Sequence, residues 1–494
     1  MRQIFRVIRP VIRNGVRHGK RPDQARWFTQ SRRCMQVSAA DLQFGQPVHE
    51  THPHLLKAGE LTRGITALEY YQRRQKLAAL LPEKSIAILA AADVKYRSGP
   101  VFYPFHQNTD FFYLTGFQEP EAVAIIDKRS SEPVFHLLVR EKDAQAELWE
   151  GARSGTQAAM DVFNADESGD VTQLSTLLPK ILDGATNVYT NLQHLSTPDS
   201  SVSRFFNSTS KDSKFSSMLG RLNDGSKLQA QSLEPLMSEI RVLKSQAEVA
   251  VMRKAGQISG RVLTDAMRQP WETEKDLHAF LDYQFRIKGC DSEAYVPVVA
   301  SGKNALGIHY VRNDEEINDG SMILTDAGGS YGGYITDITR TWPNSGKFTD
   351  LQRDLYETVL QVQRSCVALC REDANLSLDE IHNVATRSLK DGLKRLNFDV
   401  SGNAMDILFP HHLGHHIGLD VHDCRKIPRR DKLKDGMCVT IEPGIYVPDN
   451  DRWPAWFRGM GIRIEDSICV TKGHPLVLTT EAVKEVVDIE ALRH

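Results

Sequence analysis

The run Tyr334-Ile335-Thr336-Asp337-Ile338-Thr339-Arg340-Thr341-Trp342 predicts a β-strand, because β-branched and aromatic residues alternate along it. It follows a glycine turn at 328–333 and carries an acid, Asp337, near its middle. A lone carboxylate in a strand is usually explained by solvent exposure or by a paired arginine. The same arrangement recurs in three other apolar runs, at Asp326 after Met322-Ile323-Leu324, Glu442 after Val439-Thr440-Ile441 and Glu465 after Ile462-Arg463-Ile464.

Four such acids in the strands of one domain indicate a metal site. A buried carboxylate without a partner is energetically costly, so a cluster of them requires cations. Four negative charges are balanced better by two divalent ions than by one. Carboxylates that bridge two metals hold them about 3.5–4 Å apart. The four acids therefore predict a dinuclear centre.

Histidines crowd the neighbouring segment His411-His412-Leu413-Gly414-His415-His416-Ile417-Gly418-Leu419-Asp420-Val421-His422-Asp423. The interleaved glycines allow the backbone to approach a site closely, and an imidazole can supply a nitrogen ligand. Not all five histidines can be ligands, and we treat His412 and His416 as structural. Oxygen-rich ligation with one imidazole favours manganese, cobalt or iron over the thiolate-bound structural class of zinc. The sequence lacks the HExxH, GxSxG and phosphate-loop motifs.

Helix-start signals lie between these strands and predict an α+β domain over residues 245–480, with its sheet at the centre. Three capping boxes precede apolar helical patterns, in Ser245 with Glu248, Thr349 with Gln352 and Ser377 with Glu380. Strands are expected at Ser321–Ala327, Tyr334–Trp342, Cys438–Val447 and Gly461–Val470.

The preceding part of the chain, residues 60–240, predicts a smaller α/β domain. Short apolar runs that indicate strands alternate there with helical patterns, at Ser85–Ala92, Ala122–Asp127 and Val134–Val139. The stretch Asp199–Lys227 is rich in Ser, Asn, Asp and Lys, which is typical of a solvated insertion loop.

Residues 1–33 contain nine arginines, one lysine and one acid, Asp23. Arginines and aliphatic residues fall on opposite faces of a helix, although Pro10 would kink it. A disordered basic tail needs no apolar face, whereas a mitochondrial presequence does. We therefore expect residues 1–40 to be a presequence and the protein to act in the mitochondrial matrix or on the matrix side of the inner membrane.

The bulk composition excludes several other classes of protein. The chain has 494 residues and a net charge of −2, which gives no reason to expect nucleic acid as a partner. No apolar run approaches the roughly 20 residues of a membrane-spanning helix. The seven cysteines are scattered and fit a reducing compartment. Cys366 and Cys370 continue a helical apolar pattern, which predicts that both are core residues.

Five motifs, in order, resemble those of the pita-bread metallopeptidases, and more narrowly of their aminopeptidase P branch. They are Leu324-Thr325-Asp326-Ala327-Gly328, Thr336-Asp337-Ile338-Thr339-Arg340-Thr341, the three histidines His411, His415 and His422 followed by Asp423, Ile441-Glu442-Pro443-Gly444-Ile445-Tyr446, and Gly461-Ile462-Arg463-Ile464-Glu465-Asp466. In the amino-terminal domain, the stretches 107–117 and 147–153 are also similar to that branch.

The resemblance implies the roles of individual residues. Two divalent ions, usually Mn²⁺, are expected, with Asp337 and Glu465 as the bridging ligands and Glu442 as both ligand and proton carrier. The implied metal ligands are Asp326, Asp337, His415, Glu442 and Glu465. The implied catalytic residues are His309, His415, His422 and Glu442, and the implied substrate-binding residues are His309, His422, Tyr446, Arg463 and Trp149.

The resemblance further implies an α/β amino-terminal domain joined to an α+β pita-bread catalytic domain. Trp149 matches a family position that reaches the active site of a neighbouring subunit, so a homodimer or a dimer of dimers is expected. With the basic leader, these features predict an aminopeptidase that acts on peptide and protein N-termini. It would remove one residue from mitochondrial proteins after presequence cleavage.

Three alternatives remain at this point. A general X-Pro aminopeptidase or a prolidase would have no role in presequence trimming. A methionine aminopeptidase would lack the upstream domain. A binding protein could reuse the fold, because fold alone does not determine function, but the complete ligand set argues against it.

Overall fold

The computed structural model describes residues 43–191 and 230–493. The expected presequence, residues 1–40, and the expected insertion loop, Asp199–Lys227, lie outside the described residues. Within the described ranges, no helix is both long enough and apolar enough to cross a lipid bilayer.

The amino-terminal region combines a six-stranded mixed sheet with short helices. Its strands are β1 (Glu60–Thr62), β2 (Ile65–Thr66), β3 (Ser85–Ala90), β4 (Tyr96–Ser98), β5 (Val101–Phe102), β6 (Val123–Asp127), β7 (Val134–Val139), β8 (Glu167–Asp170), β9 (Asn187–Thr190) and β10 (Ala230–Ser232). Its helices are α1 (Ala67–Leu80), α2 (Thr109–Thr115), α3 (Ala144–Glu150), α4 (Gly155–Asp161), α5 (Leu174–Leu182) and α6 (Glu234–Arg241).

The central strands of this sheet confirm the predicted α/β character. The strand order is β10-β9-β3-β6-β7-β8, with antiparallel pairs at β3–β6 and β6–β7 and parallel pairs elsewhere. Strands β3 and β6 are buried along their whole length, as their continuous apolar runs require of strands covered on both faces. The three predicted strands are therefore present within one or two residues of their expected ends.

The carboxy-terminal region has the predicted α+β composition. Its strands are β11 (Ser292–Glu293), β12 (Val298–Ser301), β13 (Met322–Asp326), β14 (Gly329–Tyr331), β15 (Tyr334–Ile335), β16 (Thr339–Pro343), β17 (Cys438–Ile441), β18 (Gly444–Tyr446), β19 (Gly461–Arg463), β20 (Asp466–Cys469) and β21 (Leu476–Val477). Its helices are α7 (Gln246–Met267), α8 (Glu274–Ile287), α9 (Asp350–Leu369), α10 (Leu378–Arg395), α11 (Ala404–Leu408) and α12 (Val486–Ala491).

All three predicted capping boxes are formed, at the N-termini of α7, α9 and α10. In each, the cap hydroxyl accepts from the backbone N–H three residues on, and the Glu or Gln side chain there accepts from the N–H of the cap residue. Cys366 and Cys370 are fully buried in the core, as predicted.

Three of the predicted long strands are wrong, because each is interrupted at its acid. The run Tyr334–Trp342 divides into β15 and β16, which belong to different sheets. The run Cys438–Val447 divides after Ile441, and the run Gly461–Val470 divides after Arg463. At each interruption the chain leaves one partner strand for another, so β17 pairs with β20 whereas β18 pairs with β19. The acids therefore lie at crossings between sheets, and only Asp326 ends a strand.

Buried polar contacts join the two regions beside the acid-bearing segments. Arg73 on α1 donates to Glu69 at 2.8 Å and to the Tyr334 hydroxyl at 3.0 Å. That hydroxyl donates in turn to Glu248 on α7, at 2.8 Å. Tyr334 is the first residue of β15, so the amino-terminal region anchors the segment that leads to Asp337.

Candidate metal centre

The four predicted acids converge on one place because the strands that flank them are paired. Asp326 lies opposite Thr339 in the β13–β16 ladder. Glu442 directly follows β17 and Glu465 directly precedes β20, and these two strands are antiparallel partners. The Glu465 N–H donates to the Thr339 carbonyl at 3.0 Å, which joins the two strand pairs.

Asp337, His415 and Glu465 form the centre of the cluster. Each offers one ligand atom, and these atoms all lie within 4.8 Å of one another. His415 Nε2 is 3.3 Å from Asp337 Oδ2 and 3.6 Å from Glu442 Oε1. Asp337 and Glu465 are buried, with 5% and 1% of their surfaces exposed. The structure thus brings the predicted ligands of three different segments into one polar cluster.

The backbone around His415 determines which ring nitrogen faces the acids. Its Nδ1 lies 3.1 Å from the His416 carbonyl and donates to it, which turns Nε2 toward Asp337 and Glu442. Gly414 permits this approach, because a Cβ there would lie 2.0 Å from the Thr440 carbonyl oxygen. The expected purpose of the interleaved glycines is confirmed at this position.

Tyr295 connects two of the acids and was not found from the sequence. Its hydroxyl lies within hydrogen-bond distance of Asp326 and of Asp337, 2.8 Å from the latter. Arg463 holds the other oxygen of Asp326 at 2.8 Å. Tyr295 lies in a loop segment without a local motif, so only the three-dimensional arrangement identifies it.

Arg463 also organises the opposite side of the cluster. It donates to the Thr339 hydroxyl at 3.0 Å and to the Tyr446 hydroxyl at 2.7 Å. The Thr339 hydroxyl donates to Glu465 at 2.7 Å. The Tyr446 hydroxyl lies 2.9 Å from His411 Nε2. Arg463 and Tyr446 therefore hold the acids in place, and the substrate binding that the resemblance implies for them stays a prediction.

Crowding and burial disturb the protonation of these acids. Burial, with the negative charge of Asp337 added, raises the pKa of Asp326, of Glu465 and of Glu442, the last to about 7. Burial opposes ionisation of Asp337 as well, but the hydrogen bond with His415 keeps its pKa below the usual value. Without cations the protein groups cannot all hold their charge, so the donor set fits divalent metal ions.

Two further predicted histidines lie beside the cluster. The rings of His415 and His422 meet edge to face, with centroids 4.3 Å apart. Burial lowers the pKa of His422 to about 4, and the charges of His415 and His309 contribute. His309 follows the 3₁₀ turn Gly302–Leu306 and is exposed. His309 thus lies near enough to His422 to act on it electrostatically.

The segment that carries His422 is held by the amino-terminal region. The buried guanidinium of Arg241 on α6 donates to Asp420 at 2.7 Å and to Asp423. It also donates to Asp110 on α2 at 2.5 Å. The two acids that flank His422 are therefore fixed by one cation, and this network was not predicted.

A cavity of about 560 Å³ opens beside His422. Its lining includes Tyr103, Phe105 and Arg241 from the amino-terminal region and Arg425 from the carboxy-terminal region. His422, one of the lining residues, contacts the His415 ring, so the cavity adjoins the acid cluster.

The remaining predicted positions fall outside the cluster. Trp149 on α3 is 84% exposed, and its expected contact with a neighbouring subunit stays a prediction. His412 bonds to the Gly414 carbonyl and stacks on His382, which agrees with its structural interpretation. His416 is buried and pairs with Val439 in an isolated bridge.

Comparison with known proteins gives matches along nearly all of the chain. Residues 250–472 match the model of metallopeptidase family M24, and residues 70–189 match that of the aminopeptidase P N-terminal domain. Intermediate cleaving peptidase 55 of Saccharomyces cerevisiae is 48% identical over 453 residues, which cover 91% of this chain and 88% of the relative. The mitochondrial intermediate cleaving peptidase 55 of Arabidopsis thaliana is 36% identical, with coverage of 91% and 87%.

A solved structure is similar over the same range. The crystal structure of the Saccharomyces cerevisiae peptidase, with its N-terminal 58 residues deleted, has a TM-score of 0.79 and 45% sequence identity. The similarity covers 88% of this chain and 99% of that chain.

Proposed function

The chain belongs to metallopeptidase family M24, and from this we propose that it removes one residue from the N-termini of mitochondrial proteins after presequence cleavage. The resemblance to the aminopeptidase P branch and the pita-bread fold class are confirmed. The buried cluster of Asp337, His415 and Glu465 is the observation that carries the proposal, because it supplies a peptidase centre in a chain similar to intermediate cleaving peptidase 55.

The cluster suits two divalent ions better than one. We propose that two ions, Mn²⁺ in the first place, are held by Asp326, Asp337, His415, Glu442 and Glu465. Carboxylate oxygens and a single imidazole are a donor set that manganese accepts. When bound, such ions acidify water and polarise the carbonyl of the scissile bond.

Glu442 is suited to carry the proton of the reaction. As a carboxylate in the proposed centre it would take a proton from the attacking water and release it to the departing amine. Without cations, burial raises its pKa to about 7. His411 Nδ1 lies 3.6 Å from Glu442 Oε2 and restricts that side chain from the other side.

His422 and His309 are proposed to hold the substrate. The lowered pKa of His422 keeps its imidazole neutral at pH 7. A neutral ring can donate a hydrogen bond to the substrate carbonyl without adding charge beside His415. Arg463 bonds to both Tyr446 and Asp326 and so keeps the acids in place.

The test of this function is a comparison of paired peptides. Protein lacking residues 1–40 is expected to cleave peptides that begin Tyr-Ala and Leu-Ala, because the second residue need not be proline. Burial of a bulky first side chain gains about 1.5–3 kcal/mol, so Ala-Ala peptides should be cut roughly ten- to a hundred-fold less efficiently. Cleavage is measured as kcat/KM by liquid chromatography.

The amino-terminal domain is that of aminopeptidase P, and strict cleavage before proline is therefore the rival function. The control peptide begins Tyr-Pro. Cells without the gene should contain matrix proteins that keep one extra N-terminal residue, detected by N-terminal mass spectrometry. If only the Tyr-Pro peptide is cleaved and the matrix N-termini are unchanged, the proposed trimming function is wrong and the protein is a strict X-Pro aminopeptidase.

The name of the Arabidopsis thaliana relative supports a mitochondrial location for this chain. We propose the matrix, or the matrix side of the inner membrane, as the site of action, because N-termini produced by presequence removal arise there.

Assembly into a homodimer or a dimer of dimers is proposed from Trp149. It is 84% exposed, and its neighbour Leu148 is 79% exposed. Adjacent large apolar side chains on a helix surface favour contact with another chain. Trp149→Ala is expected to lower kcat/KM by about ten-fold or more and to weaken assembly in sedimentation velocity. Tyr71→Ala, an exposed aromatic of the same domain, is the control, and an active monomer would contradict the proposal.

A further inference from the structure

Helix α8 begins with an acid that the proposed reaction does not use. Glu274 is the first residue of the helix after the cap residue Thr273, and it is fully buried. Acids are common in the first helical turn, because the helix dipole favours negative charge there. They are usually solvated, however, so complete burial of this carboxylate requires another reason.

The Glu274 carboxylate accepts five hydrogen bonds, all from neutral groups. One oxygen accepts from the Ser301 N–H at 2.8 Å, the Ser301 hydroxyl at 2.9 Å and the Asn304 amide at 2.9 Å. The other accepts from the Tyr310 hydroxyl at 2.7 Å and the Glu315 N–H at 3.1 Å. A carboxylate can saturate this many donors, whereas an amide offers only one acceptor oxygen.

These partners lie on both sides of His309. Ser301 ends β12, and Asn304 lies in the 3₁₀ turn that precedes His309. Tyr310 is the next residue after His309. The Glu274 carboxylate therefore fixes the chain both before and after His309 to the N-terminal end of α8.

His309 has no comparable restraint of its own. Its side chain is exposed, whereas Ile308 and Tyr310 on either side pack against the small core that includes Leu324 and Tyr446. The orientation of the exposed imidazole thus depends on the backbone of its segment, and that backbone depends on Glu274.

We propose that Glu274 is a positioning residue that sets the place of His309 relative to the metal centre. The inference rests on the proposed function, in which His309 holds the substrate. Displacement of a substrate-positioning group by about 1 Å can lower the reaction rate roughly a hundred-fold. Loss of the Glu274 hydrogen bonds should therefore lower turnover.

A double-mutant cycle tests this role in the full-length, metal-loaded protein. E274Q is expected to lower kcat/KM by about ten- to a hundred-fold, and Y310F, which removes one of the five hydrogen bonds, by about three- to ten-fold. In the H309A background both substitutions should change kcat/KM by less than about two-fold. Thermal midpoint and bound manganese, measured for each variant, separate misfolding and metal loss from misplacement.

Y283F removes the hydroxyl of an exposed tyrosine on the same helix and is expected to leave kcat/KM unchanged. Equal losses from E274Q and Y310F in the wild-type and H309A backgrounds would overturn the positioning role. If H309A itself has no effect, the substrate role of His309 in the proposed function is wrong. Should E274Q fail to fold, the Y310F and H309A cycle decides the question alone.

Discussion

Glu442→Ala is expected to lower kcat/KM by about a thousand-fold or more and to leave the chain folded. The substitution removes a metal ligand and the group proposed to carry the proton, and a general base alone contributes about 10²–10⁴-fold. The lost side chain lies in a polar cluster where its own ionisation is disfavoured, since burial raises its pKa to about 7. In the metal-free protein its removal should therefore cost little folding free energy. Turnover of a Tyr-Ala peptide and the thermal midpoint give the two readouts.

The matched control is Glu357→Ala, which removes an exposed acid from the surface of α9. It should keep full activity. Glu442→Gln keeps the shape of the side chain without the charge, and it is expected to be nearly as inactive as Glu442→Ala. A fully active Glu442→Ala protein would disprove the proposed chemistry.

Removal of divalent ions by a chelator is expected to reduce peptide cleavage below about 1% of the starting rate, because the proposed ions would polarise the scissile carbonyl and acidify the attacking water. Added Mn²⁺ should restore the rate. At a hundred-fold excess over the dissociation constant, each bound ion also stabilises the folded state by about 2.7 kcal/mol. The thermal midpoint should therefore rise together with activity.

Chelator already saturated with Mn²⁺ is the control for side effects of the reagent, and it should leave cleavage unchanged. Full activity after exhaustive removal of metal, confirmed by elemental analysis, would exclude a metal-dependent mechanism.

The placement of the acids shows which features of the site local sequence patterns can predict. Asp326, Asp337, Glu442 and Glu465 were assigned to one centre because each interrupts an apolar run, and buried charge needs a common explanation. That reasoning concerns burial and charge, which are local properties of each run, and the structure brings the four acids together. The capping boxes succeeded for the same reason, because each depends on residues only three apart.

The interruptions of the strands could not be predicted in the same way. Alternation continues through Thr336 and Ile338 even though β15 and β16 pair with different strands. Pro443 was a usable signal, because it lacks the N–H that a continuing ladder requires. The break before Glu465 carries no such signal, and pairing between distant strands alone determines it.

Residues that act across long sequence distances were also missed. Tyr295 and Glu274 resemble an ordinary loop tyrosine and an ordinary first-turn acid. Their importance comes from partners 27 to 42 positions away, such as Ser301, Asn304 and Asp337. A local sequence pattern does not predict contacts between residues so far apart in the chain.

The number of manganese ions bound per chain tests the dinuclear centre most directly. Metal-free protein is titrated with Mn²⁺ in a calorimeter, and the bound metal is counted by elemental analysis after dialysis. Two ions per chain are predicted, with cleavage reaching its maximum as the second site fills. Asp337→Asn, which alters a proposed bridging ligand, should lose at least one of them. Full activity at one ion per chain, or no binding at all, would contradict the dinuclear centre.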